Sequence, residues 1–134
     1  MAKYFTDDEF RCKGDSDENI SIYGRGCGCN FSLPPDGMDS RLLELLDKLR
    51  EVVGVPLSPS CGFRCEIHNS DVGGVSNSQH LYGIAVDLPV PDGLTVDELA
   101  NWAEYVGFDG IGRYYSDNFV HVDTRGYKAR WEES

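Results

Sequence analysis

The most restrictive feature of the sequence is a short apolar run, Ile84 to Val90, broken by a single carboxylate at Asp87. The run is closed by Pro91, Asp92 and Gly93 and reads as a β-strand whose apolar side chains enter a core. An ionised carboxylate among them is costly unless a partner compensates it, and a metal ion is one such partner. The segment Asn118 to Asp123 poses the same problem, because His121 stands between Val120 and Val122 and Asp123 follows two residues later. Successive side chains of a strand point to opposite faces, so His121 and Asp123 share one face and the valines take the other.

Around these strands the pattern is mixed. Between Asp39 and Val53 the residues Leu42, Leu43, Leu45, Leu46, Leu49, Val52 and Val53 recur at the period of an amphipathic helix, which Gly54 and Pro56 close. Thr95 and Glu98 form a capping box ahead of Leu99, Trp102, Ala103 and Val106, which predicts a second helix over Val96 to Val106. Gly107 to Tyr115 and Asn118 to Asp123 read as two strands joined by a turn around Ser116 and Asp117. Residues 1–37 read as irregular apart from a short helical turn around Asp7 to Phe10. A short strand or turn is expected over Leu57 to Arg64, a helical turn from Glu66, and a loop over the Gly-, Ser- and Asn-rich stretch Val72 to Leu81. Helices and strands without regular βαβ alternation predict an α+β fold, a small and mainly antiparallel sheet with flanking helices. The 134 residues fit a single domain, 1–134.

With 12 Lys+Arg against 23 Asp+Glu the net charge is −11, a surface that repels nucleic acid and anionic lipid, so neither is expected as a partner. No segment has the apolar length of a signal peptide or a membrane span, which gives cytoplasmic synthesis as the expectation. The chain is expected to be a monomer. Its five cysteines, an odd number, argue against a fully disulfide-stapled domain. Cys12, Cys27 and Cys29 would make a three-thiolate cluster, but at no standard zinc spacing, so reduced thiols are the default.

Of the three histidines, His68, His80 and His121, the last two stand close to Asp87 or share its kind of setting. His80 precedes Asp87 by one short stretch, Leu81 to Val86. Together His80, Asp87 and His121 would offer two imidazoles and one carboxylate, leaving the fourth position of a tetrahedral zinc open, which is the catalytic rather than the structural pattern. Asp123 would accept the second N–H of His121 and fix the metal-binding tautomer.

The stretch from Cys61 through Arg64, His68 and Asn69, then Val72 to Val75, then Ser78 to Asp87, resembles the zinc D-Ala-D-Ala carboxypeptidase family, whose metal fold is shared with the Hedgehog signalling domain. The family signature, Ser-x-His-x-x-Gly-x-Ala-x-Asp followed by a His-x-Asp strand, is met at Ser78, His80, Gly83, Ala85, Asp87, His121 and Asp123. The opening Tyr4 to Cys12 and the closing Arg125 to Trp131 also look like family features, so the resemblance covers nearly the whole chain.

The resemblance implies a Zn2+ cofactor held by His80, Asp87 and His121, and hydrolysis of an amide bond in the peptide stem of bacterial peptidoglycan. It assigns Arg64 to the substrate carbonyl or carboxylate, which suits a planar guanidinium. Ser78 and Gln79 would bind the peptide and Trp131 would wall the cleft, while His68 and Asn69 read as structural. One position departs from the pattern. The family usually places its general base three residues before the second zinc-binding His, and here that residue is Asn118, which takes no proton. Asp117, in the turn, is the candidate base and Asp123 the fallback. A phage- or prophage-type lysis endopeptidase, acting on the wall after release, is the favoured setting, with a D-Ala-D-Ala carboxypeptidase beside it. The alternative class is a non-catalytic zinc-stabilised peptide- or wall-binding module, and a cysteine-based metal domain stands behind both. Metal analysis of purified variants separates the cysteine-based reading from the other two, which differ instead in whether purified walls are cleaved. His80→Ala and His121→Ala are expected to lose zinc, whereas Cys27→Ser is expected to retain it.

Overall fold

A computed structural model describes residues 4–5, 7–13, 33, 37–60, 62–63 and 83–133. Helix α1 runs Ser40–Val53 and begins where Asp39 accepts a hydrogen bond from the Leu42 amide (3.1 Å). It ends at Gly54, whose φ of 79° is the left-handed conformation that a side chain resists. Leu42, Leu45, Leu46 and Leu49 are its buried stripe. Helix α2, Val96–Val106, carries the expected capping box: the Glu98 amide donates to Thr95 Oγ1 (3.1 Å) and the Thr95 amide to Glu98 Oε1 (3.0 Å). Ahead of α1, a 3-10 helix over Asp7–Phe10 delivers Phe10 into the core, where its ring lies 5.9 Å from that of Phe5.

The strands are β1 (Ala85–Pro89), β2 (Gly110–Tyr114), β3 (Phe119–Asp123) and β4 (Ala129–Glu133), forming one four-stranded sheet in the order β1-β3-β2-β4. β3 pairs antiparallel with both β1 and β2, while β4 pairs parallel with β2. The sheet is therefore antiparallel at its centre and parallel at one edge. β2 and β3 are joined through Tyr115 to Asn118, with Asn118 at a φ of 55° that asparagine tolerates better than most residues. The Asn118 carbonyl accepts from the Val90 amide (2.9 Å), tying this turn to the end of β1.

One face of the sheet is apolar. Val86 and Leu88 of β1, Val120 and Val122 of β3 and Ile111 of β2 are each at most 1% exposed and join the leucines of α1, Leu99 and Ala103 of α2, and Phe108. α2 lies against β2 and β3, and α1 lies against α2. Asp39 links helix to sheet, since its amide donates to the Gly83 carbonyl (2.9 Å) and its carboxylate accepts from Thr124 Oγ1 (2.8 Å). Among its described residues, Leu57 to Arg64 forms no strand. Pro59 has no amide hydrogen to give, and the segment meets β1 through one backbone bond, from the Ser60 amide to the Asp87 carbonyl (3.0 Å). Among the described residues no helix is long and apolar enough to cross a membrane.

Arg41 of α1 clamps Asp109, just ahead of β2, with Nη1 at 2.6 Å and Nη2 at 3.2 Å, and the Gly126 amide adds a third donor at 2.9 Å. The Arg41 hydrogen bond holds the Asp109 carboxyl below its ordinary range. A lowered folded value means that this stabilisation is complete above the unfolded carboxylate range and is lost as pH falls through the folded value. Arg41 is half exposed, so the contribution is screened to about 1 kcal/mol or less. Asp109→Asn is expected to destabilise by that amount at pH 7, with the gap to the parent closing in acid denaturation curves as pH falls below the ordinary carboxylate range.

Candidate functional site

The polar face of the sheet is set by strand register. Asp87 of β1 stands directly opposite His121 of β3, and His121 stands opposite Gly112 of β2. One step along, Asp123 lies between Ala85 and Gly110. On the far side of β2, Gly112 pairs with Trp131 of β4. Side chains two apart along a strand share a face, so Asp87, His121, Asp123, Tyr114, Phe119 and Trp131 all project away from the apolar core.

His121 is gripped from both ring nitrogens. Nε2 lies 2.7 Å from Asp123 Oδ2 and Nδ1 lies 3.1 Å from Asp87 Oδ1. An ionised carboxylate only accepts, so the bond to Asp123 requires the proton on Nε2 and turns Nδ1 toward Asp87. Asp123 is fully buried, whereas the Asp87 side chain keeps 18% of its exposure. Asp123 is also held by Arg125, through Nε at 3.0 Å and 3.1 Å, Nη2 at 2.6 Å and the backbone amide at 3.2 Å. Burial alone would raise its pKa, but the hydrogen bonds from His121 and Arg125 outweigh burial and hold the carboxyl well below the usual range.

The space for this arrangement comes from glycine. A Cβ on Gly110 would overlap the Asp123 carboxylate, and one on Gly112 would overlap the Trp131 indole. The indole tilts against the His121 ring, with centroids 5.0 Å apart, and its Nε1 donates to the Tyr114 hydroxyl (2.8 Å). Tyr114 in turn stacks on Phe119 at 4.3 Å. Burial, with help from Glu133 and Asp87, raises the Tyr114 pKa, so the phenol remains a hydrogen-bond donor.

The donor chemistry fits a zinc ion in part of its shell. Two donors each about 2.0–2.1 Å from a tetrahedral zinc lie about 3.3 Å apart, close to what Nδ1 of His121 and Oδ1 of Asp87 show. Among the described residues no third donor completes a metal-binding group. The third expected ligand, His80, lies outside the described residues, as do Arg64, Ser78 and Gln79. The described chain ahead of Arg64 ends at Phe63. The Phe63 amide donates to the Phe10 carbonyl (2.8 Å), and Gly62 is pressed so close to the Phe10 backbone that a Cβ would meet its Cα at 2.8 Å. Ser60, four residues ahead of Arg64, is bonded to the Asp87 backbone carbonyl.

Of the sequence-predicted residues, the structure brings together Asp87, His121, Asp123 and Trp131. Asp117 and Asn118 occupy the exposed β2–β3 turn, with Asp117 four residues ahead of His121 in sequence. Arg125, Tyr114, Gly110 and Gly112 had no site role in the sequence reading. The alternation of glycines in Gly110-Ile111-Gly112 was the available signal, since glycine inside a strand marks the close approach of another group.

Gly110→Ala is expected to cost about 1–3 kcal/mol of stability in thermal denaturation and to weaken metal uptake. Ile111→Val, one residue on but facing the core, is expected to cost about 0.5–1.5 kcal/mol and leave metal uptake unchanged.

Comparison with known proteins matches the sequence of this chain to a family. The profile of the family described as Peptidase M15 matches residues 3–123. The chain is 48% identical over 89 residues to the zinc D-Ala-D-Ala carboxypeptidase of Streptomyces albus G, an alignment covering 64% of this chain and 34% of that protein. It is 28% identical over 95 residues to the probable peptidoglycan L,D-endopeptidase MepK of Haemophilus influenzae, covering 65% of this chain and 50% of that protein. The matched region thus spans between a third and a half of these relatives' lengths.

Proposed function

Because the chain belongs to the M15 peptidase family, we propose that it hydrolyses an amide bond in the peptide stem of bacterial peptidoglycan, using zinc held by His80, Asp87 and His121. The observation that carries this reading is His121, locked between a buried carboxylate on one nitrogen and the partly open Asp87 on the other. A histidine serving only the core would need neither a second carboxylate nor an open side. A bound zinc would polarise the scissile carbonyl and lower the pKa of water to about 7. The protein's own part is to hold the ligands rigid and to seat the peptide.

In this reading Asp123 keeps the His121 ring in one orientation with Nδ1 presented. Trp131, braced by Tyr114 and lying over Gly112, walls the cleft on the β4 side. Arg64 takes the substrate carbonyl or carboxylate and stabilises the negative charge that develops as the amide is attacked. Ser78 and Gln79 bind the peptide backbone. Asp117 serves as the proton acceptor from the turn that leads into β3. The net charge of −11 is no obstacle, because the substrate is recognised through a local cationic group rather than through the overall field. Two specificities are open to this site, a carboxypeptidase acting on D-Ala-D-Ala termini and a phage-type endopeptidase.

A second reading has its own support. Asn118 stands where the family usually has its base, and its φ of 55° explains the residue by turn geometry alone. A non-catalytic module that binds zinc and wall peptide would keep everything else.

The decisive measurement is mass spectrometry of muropeptides after incubation of purified walls with the zinc-loaded protein. Cleavage products abolished by a chelator and restored by zinc are expected, and their masses identify the bond cut. Asp117→Ala is expected to lower the rate by about 10²–10⁴-fold at unchanged zinc content. A normal rate would move the base elsewhere, and zinc binding with no products from the parent protein would establish the binding module.

A further inference from the structure

Asp123 orients His121, but the geometry raises the question of what orients Asp123. Its carboxylate is fully buried and sits in a slot that exists only because Ala85 and Gly110 flank it. Besides His121, the side chain that bonds it is the Arg125 guanidinium, which spans both carboxylate oxygens through Nε and Nη2. Arg125 is itself constrained. Its side chain is only 17% exposed, and its charged end lies 5.1 Å from the ring centroid of Trp131 and 5.7 Å from that of Tyr127. Trp131 is the same ring that leans on His121 from β4.

We infer that Arg125 is a positioning residue for the metal centre, setting the His121 ring through Asp123 and bracing the Trp131 wall. The two tasks demand a planar fork that can bridge two oxygens while stacking on an aromatic face, which lysine cannot reproduce. Among the described residues, Arg125 reaches the centre through its bonds to Asp123 and its packing on Trp131. The inference rests on the reading of His121 as a zinc ligand.

The test is zinc affinity, measured on the full chain by competition with a chelating dye. Arg125→Lys is expected to weaken zinc binding by about 10–100-fold, the usual effect of losing a partner behind a metal ligand. Arg130→Lys is the control. Arg130 makes a comparable ion pair with Glu104 and bonds the Phe108 and Asp109 carbonyls, away from the polar face. It is expected to lower thermal stability and leave zinc affinity unchanged. Zinc affinity within twofold of the parent in a folded Arg125→Lys variant would overturn the inference. A measurement on the parent protein removes dependence on variant folding: nitrogen NMR of the zinc-loaded chain is expected to show His121 protonated at Nε2. Coordination through Nε2 with the proton on Nδ1 would also overturn it. Absence of zinc binding by the parent protein would instead defeat the reading of His121 on which the inference stands.

Discussion

A fully buried carboxylate must be satisfied by donors, and in this fold that requirement shapes everything around Asp123. An imidazole, a guanidinium and a backbone amide converge on its two oxygens. Each of those donors is then committed. His121 can offer only Nδ1 to the outside, Arg125 is drawn back over the sheet, and the chain leaving β3 bends sharply enough for its own amide to reach back two residues. β2 is denied a side chain at Gly110 for the same reason. The arrangement would be expensive in isolation, and it is tolerable because the opposite face of the same strands is a conventional apolar core.

That division of labour between faces also explains what the sequence disclosed. The valines and leucines of β1 and β3 alternate with Asp87, His121 and Asp123, so strand, face and candidate chemistry were all readable from a period of two. The second helix was legible to the residue because Thr95 and Glu98 cap it and Gly107 ends it. The first begins at Ser40 because Asp39 is its cap, not its first turn. The edge strand β4 was not legible. Ala129-Arg130-Trp131-Glu132-Glu133 is polar on one face and carries only one large apolar ring on the other, and its parallel pairing with β2 depends on a crossover that no local pattern encodes. Arg125 escaped for a related reason. An arginine after a strand looks like any surface charge until the carboxylate it serves is known to be inside.

The β2–β3 turn shows a different kind of limit. Asn118 is a departure when judged by chemistry and an ordinary choice when judged by backbone conformation, and a single sequence does not say which demand prevailed. The structure shows that the conformational demand is real: the residue has a positive φ, and its carbonyl holds the end of β1. A carboxylate or imidazole at this position would have to meet that geometry as well.

The central position of β3 has one more consequence. His121 sits on a strand hydrogen-bonded along both edges, and such strands are the last to open when a native protein fluctuates. Asp123 shares that protection, because it lies on the same strand. Arg125 does not, because it lies beyond the last paired residue, next to Gly126. The imidazole is thus anchored to a strand paired on both sides, while its support comes from a residue outside that ladder, tied back to it through Asp123. A change at Arg125 should therefore release the ring orientation while leaving the pairing of the sheet itself undisturbed.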